Sequence, residues 1–142
     1  MTTPAGFAPM AYSPNGLISL LGPYYWRQDG ETYVYGFQSD TRHGNPNNVI
    51  HGGALTAFAD TLTGHLIEHA SGRKCATIAL DSRFVAAGKV GSWVEGRARL
   101  RKMTKSLAFL DVDLMAEGEL IMTAQCVYRV FTLHAGHGRG DA

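Results

Sequence analysis

The chain has 142 residues, 45% of them hydrophobic and only 18% charged, with a formal net charge of +1. That length suits one domain able to bury a core. The balanced charge argues against nucleic acid as a partner, and no apolar run is long enough to predict a membrane span.

In chain order, the opening "MTTPAGFAPMAYSPNG" has neither the basic region nor the long apolar stretch of a signal peptide. Residues 1–12 read as a flexible N-terminus, 13–133 as one domain, and 134–142 as a flexible tail. His134 and His137 in that tail read as solvated, and no metal site is expected. "SPNGLISLLGPYYW" predicts a short helix capped by Ser13 or Asn15 and stopped by Gly22-Pro23. "ETYVYGFQ" alternates and is rich in β-formers, so it predicts a strand, and "RHGNPNNVIHGG" is loop chemistry. A long helix then runs from about Gly52 to Ser71. Gly72 ends it, and Arg73 and Lys74 suit its negative end.

Four strand-like segments follow: "CATIALDSRFV", "SWVEGRARLRKM", "SLAFLDVDLMA" and "ELIMTAQCVYRVFTL". Their short separators predict an antiparallel meander. One long apolar helix with a meander implies an α+β fold in which an antiparallel sheet of five or six strands wraps the helix. Cys75 and Cys126 lack metal-ligand spacing and imply no disulfide framework, so a cytoplasmic, reducing setting is expected.

The helix carries an anomaly. Between Gly52 and Glu68 its only carboxylate is Asp60. On a helical wheel Leu55, Phe58, Ala59, Leu62 and Leu66 form one stripe for the core. Asp60 lies roughly 140° from Leu55, with Gly53, Thr56, Thr63, Gly64 and Ile67. That second face is small and hydroxyl-bearing, which suits close approach of a subunit partner across a two-fold axis. The low charge content also fits a partly covered surface. A carboxylate there is either a satisfied interface acceptor or a functional group. At the helix start, Gly52 and Gly53 expose backbone N–H groups at the positive end of the dipole, a site for an oxygen gaining negative charge. Gly53 and Asp60 are about 10.5 Å apart along one helix. That is too far to act on one carbonyl, so composite sites shared between two antiparallel helices are expected.

The pattern Asn45, five residues, His51-Gly52-Gly53, six residues, Asp60 resembles the hotdog-fold thioesterases of the phenylacetate-catabolism type, over roughly residues 13–133. The resemblance implies a hotdog fold and hydrolysis of an acyl-coenzyme A, or of a carrier-protein thioester, without metal or cofactor. It implies Asp60 as general base or nucleophile, the Gly52 N–H polarising the thioester carbonyl, Asn45 orienting thioester or water, and His51 in a positional role. Thr77 is expected as a hydroxyl supporting Asp60. The resemblance assigns Asn45, His51 and Gly52 to one subunit and Asp60 and Thr77 to its mate, in a homo-oligomer with a dimer as the minimal unit and a tetramer as the expected assembly.

Coenzyme A carries phosphates, so Arg83, Lys89 and Lys105, with Arg101 and Lys102, are candidates at the site mouth, and Gly53 is a further candidate for substrate contact. Phe58, Phe84 and Trp93 are core residues that could also line an acyl pocket. A hotdog enoyl-thioester hydratase would need an acid where this chain has Pro46. A non-catalytic acyl-CoA-binding regulator would need an output module, and the residues before the first strand are too few for one.

Overall fold

A computed structural model describes residues 4–132. The tail histidines His134 and His137, and the tail itself, lie outside the described residues. Seven strands and two helices follow in order: β1 (Ala8–Pro9), α1 (Leu17–Leu21), β2 (Tyr25–Asp29), β3 (Thr32–Gln38), a 3₁₀ turn (Thr41–His43), α2 (Gly52–Ser71), β4 (Cys75–Phe84), β5 (Trp93–Met103), β6 (Leu107–Ala116) and β7 (Glu119–Val130). The sheet runs β1-β2-β3-β5-β6-β7-β4, antiparallel throughout.

α2 behaves as its sequence directs. His51 caps its start through its own ring, and Gly72 ends it in the left-handed region at φ 73°, with its N–H bonded to the Glu68 carbonyl. The stripe Leu55, Phe58, Ala59, Leu62 and Leu66 is buried against the sheet. Gly96 of β5 lets the helix lie close, because a Cβ there would come within 2.8 Å of Leu62 and 2.9 Å of Leu114. Inward residues of β6 and β7, among them Leu110, Val112, Leu114, Met122 and Ala124, complete the core.

Four local expectations change. β2 was not foreseen: it forms a hairpin with β3 over Gly30-Glu31, with Gly30 at φ 65°, and "DG" beside an aromatic run was its signal. The N-terminal stretch read as flexible contains β1, and Met10 is buried, its N–H bonded to the Tyr24 carbonyl. α1 has Gly16 as its N-cap and no side-chain cap, so neither Ser13 nor Asn15 caps it. Arg73 does not serve the end of α2; its guanidinium donates to the carbonyls of Phe131, Val130 and Lys105, tying down the end of β7.

The largest correction concerns β4. It does not pair with β5 as a meander requires; it pairs with β7 and forms one edge of the sheet. The link after it crosses the sheet end instead of turning. It is held by the Val85 N–H on the Ile121 carbonyl, and it accepts the Ile50 N–H on the Gly88 carbonyl. This crossover passes beside the start of α2.

Candidate active site

The start of α2 is assembled from loop hydrogen bonds. The His43 ring is buried. Its Nδ1 accepts from the Asp40 N–H at 3.0 Å and its Nε2 lies 2.7 Å from the Leu21 carbonyl, which assigns a neutral ring with the proton on Nε2. The His43 carbonyl in turn accepts the His51 N–H at 2.7 Å. His51 Nδ1 accepts the Gly53 N–H at 2.7 Å, so His51 is a helix cap. That bond has a consequence for Gly53. Its N–H is occupied by its own chain, and a Cβ at this position would lie 2.9 Å from His51 Nδ1. Gly53 therefore permits the cap, whereas the Gly52 N–H has no partner among the described residues.

Asn45 Oδ1 accepts from the N–H groups of Asn47 and Val49, at 2.9 and 3.2 Å, and fixes the loop. The amide NH₂ of Asn45 is the part left for another partner. Beside these groups lies an open apolar groove of about 370 Å³, bounded by Val49, Gly52, Leu55, Phe84, Val85 and Ala87. Phe84 lies against Gly52, where a Cβ would meet its ring at 3.2 Å.

Asp60 lies further along the helix, half-buried. Thr77 Oγ1 donates to Asp60 Oδ1 at 2.6 Å, and the Tyr128 hydroxyl lies 2.8 Å from the same oxygen and 2.6 Å from the Asp60 carbonyl. Thr77 and Tyr128 are cross-strand partners in β4 and β7, so their hydroxyls share a face and converge on the helix. Thr63 Oγ1 is 2.6 Å from the Tyr128 hydroxyl. Oδ2 of Asp60 has no hydrogen bond among the described residues, and Asp60 has no ion pair there. Tyr128 was missed by sequence reasoning, because a tyrosine in a strand carries no motif and its distance of 68 residues from Asp60 hides the contact.

A bulge in β4 makes this arrangement possible. Thr77 pairs with Tyr128 and Ala79 with Val127, leaving Ile78 as the extra residue. In a regular strand Thr77 and Phe84, seven residues apart, would face opposite sides. The bulge turns Leu80 and Phe84 to the same side as Thr77, so β4 presents one side chain to Asp60 and another to Gly52.

Other candidates separate. Lys89 is exposed and bridges to Val49 beside the groove. Arg83 is exposed and paired with Asp81 at 2.6 Å. Lys105 lies at the opposite end of the sheet, where its carbonyl accepts from Arg73, so one chain does not bring it to Gly52. Arg101 pairs with Asp111 at 2.6 Å, and Lys102 is exposed. Phe58 is core, packed on Tyr24 and Phe37, and Trp93 packs under Phe7 and Tyr25 away from α2. Burial pushes the thiols of Cys75 and Cys126 up to about 11, so neither is an activated nucleophile.

The second face of α2 is not wholly free for a partner. Thr63 and Ile67 are fully buried by their own chain, and Gly64 lies against Tyr128 and Cys75. Gly53, Thr56 and Asp60 in its first half remain at least partly accessible, as does Gly64. Within one helix the Gly52 N–H and Asp60 are eight residues apart, about 12 Å.

Comparison with known proteins bears on this geometry. A curated relative, "Putative esterase PA0474" of Pseudomonas aeruginosa, is 29% identical over 133 residues, covering 92% of this chain and 98% of its own. A Streptococcus pneumoniae hypothetical thioesterase crystallised with coenzyme A superposes with a TM-score of 0.72 at 18% identity, over 78% of this chain and 90% of that one. The Escherichia coli PaaI protein of the phenylacetic acid degradation operon superposes with a TM-score of 0.74 at 18% identity, over 81% of this chain and 83% of that one. These likenesses establish the hotdog fold. A profile described as Thioesterase superfamily matches residues 47–123, a span holding Gly52, Asp60 and Thr77, and the chain belongs to that superfamily.

Proposed function

We propose that the protein hydrolyses an acyl-coenzyme A thioester at composite sites formed by two subunits, Asn45, His51 and Gly52 coming from one and Asp60 and Thr77 from the other. The observation that carries this reading is Asp60 itself. One oxygen is held by two hydroxyls while the other has no partner among the described residues, on a half-buried carboxylate with no ion pair among them. The separation from Gly52 along one helix supports the sharing of sites. The coenzyme A bound to the Streptococcus pneumoniae neighbour supports the substrate class.

In the proposed reaction the carbonyl oxygen of the thioester rests on the Gly52 N–H at the positive end of α2. Asp60 Oδ2 takes a proton from water as the water oxygen bonds to the carbonyl carbon. Collapse breaks the C–S bond, and the leaving thiolate takes the proton from Asp60. The products are a carboxylic acid and free coenzyme A. Direct attack by Oδ2 gives the same products through an acyl–aspartyl anhydride; label found on Asp60 after a single turnover in ¹⁸O-water identifies that route, because direct attack by water places the label in the carboxylic acid. The groove beside Gly52 and Phe84 offers an apolar lodging for the acyl group, and Lys89 at its rim offers a cation for a phosphate.

Wild type and Asp60→Asn are assayed against a panel of aromatic, short and medium acyl-coenzyme A thioesters, following free thiol. Thiol release by the wild type, cut by at least about 100-fold in a folded Asp60→Asn, is the expected result. Wild-type binding without turnover across the panel refutes the catalytic reading.

A further inference from the structure

We propose that Tyr128 is a positioning residue for Asp60: its hydroxyl, with Thr63 behind it, holds Oδ1 so that Oδ2 alone faces the reacting water or thioester. This rests on the thioesterase reading above.

Three oxygens surround the Tyr128 hydroxyl, Asp60 Oδ1 at 2.8 Å, the Asp60 carbonyl at 2.6 Å and Thr63 Oγ1 at 2.6 Å. Thr63 has a proton acceptor of its own in the Ala59 carbonyl, 2.9 Å away. The Asp60 oxygens only accept, so it is the Thr63 proton, turned to the Tyr128 oxygen instead, that satisfies their contact and leaves the single Tyr128 proton for Asp60. Burial pushes the Tyr128 phenol far above its ordinary value, so it remains a donor across the working pH range.

The surroundings of Asp60 make this donor matter. From β4 it is faced by Thr77 and Cys75, from β7 by Tyr128 and Cys126, and its own helix contributes Thr56, Thr63 and Gly64. None carries a positive charge, and both thiols stay neutral. The carboxylate charge is therefore supported within the chain by two hydroxyls, Thr77 on the exposed side and Tyr128 on the buried side. A hydrogen bond in the drier location is the stronger, and losing it frees the carboxyl to rotate, exchanging the two oxygens.

The test is kcat and KM, beside denaturant unfolding, for the assembled wild type, Tyr128→Phe and Asp60→Asn. Tyr128→Phe keeps the ring and removes only the hydroxyl. Its kcat is expected to fall about tenfold with KM nearly unchanged. A structural role alone would lower stability and leave kcat per folded molecule in place. An unchanged kcat in folded Tyr128→Phe, with Asp60→Asn inactive, overturns the inference and leaves the thioesterase reading intact. Full activity in Asp60→Asn overturns both. Should Tyr128→Phe not assemble, Thr63→Val, which removes the hydroxyl that orients Tyr128, is expected to lower kcat by a smaller factor. An unchanged kcat there overturns the inference equally.

Discussion

α2 meets the sheet differently on its two sides. Toward β2 and β3, His65 Nδ1 lies 2.7 Å from the Tyr35 hydroxyl and His69 Nδ1 lies 2.8 Å from that of Tyr33, with Trp26 against both imidazoles. The sheet closes on that side with β1, which is two residues long and contains Pro9, a poor edge for another strand to join. Toward β4 and β7, Asp60 is also held by sheet hydroxyls, but one oxygen is left open. The sheet ends there in β4, ten residues long, and Ile78, Phe84 and Val85, in β4 and just after it, are 56%, 55% and 54% exposed. Both sides use a titratable side chain on the helix and hydroxyls on strands. The difference lies in what is left over: one side pairs each ring with a tyrosine and finishes its edge, while the other retains an acceptor and an open edge. The first arrangement serves stability, and the second is suited to a substrate and a second subunit.

The strongest way to break this comparison is at the open edge. Ile78→Lys places charge on β4 without touching the core. Sedimentation is expected to show monomers, and thioester hydrolysis to fall by at least about 100-fold, because each site would lack half its groups. Dimers that persist in this variant would place the interface elsewhere. Complementation sharpens the same point. Asp60→Asn and Gly52→Val are each expected to be inactive, the second because its side chain would collide with Phe84. Mixed and allowed to exchange subunits, they should recover about a quarter of wild-type activity, since half the dimers are mixed and each mixed dimer has one intact site. No recovery after verified exchange argues for sites within single chains.

Smaller effects separate the two sides. Thr77→Val removes one donor to Asp60 and is expected to lower kcat by about tenfold while the melting temperature stays nearly constant. Tyr35→Phe is its counterpart on the closed side: it leaves His65 Nδ1 without its partner and is expected to cost about 1 kcal/mol of stability, read by denaturant unfolding, with activity per folded molecule unchanged. The mildest effect is one of pH. Burial, and to a lesser degree His69, holds His65 below its ordinary value. The unfolded chain therefore binds a proton that the folded chain resists, so stability is greatest above about pH 6.5 and declines as pH falls below it. Melting temperatures between pH 7.5 and 5.5 are expected to fall for the wild type, and to fall less for His65→Gln.

Much of this is legible in the sequence. The bounds of α2, its buried stripe and its glycine stop follow from a 3.6-residue period and one left-handed position, which are properties of neighbouring residues. The five long strands follow from β-rich runs between turns, and the joint spacing of Asn45, His51, Gly52 and Asp60 marked the candidate site. Folding alone could decide what depends on distant partners. The chain order from β4 to β5 looked like a turn, but the crossover put β4 against β7. The bulge at Ile78 could not be seen in a run of alternating residues, although it sets which side chains of β4 face α2. Tyr128 reaches Asp60 only because strand pairing places it beside Thr77, and no local pattern records a pairing between residues so far apart in the chain.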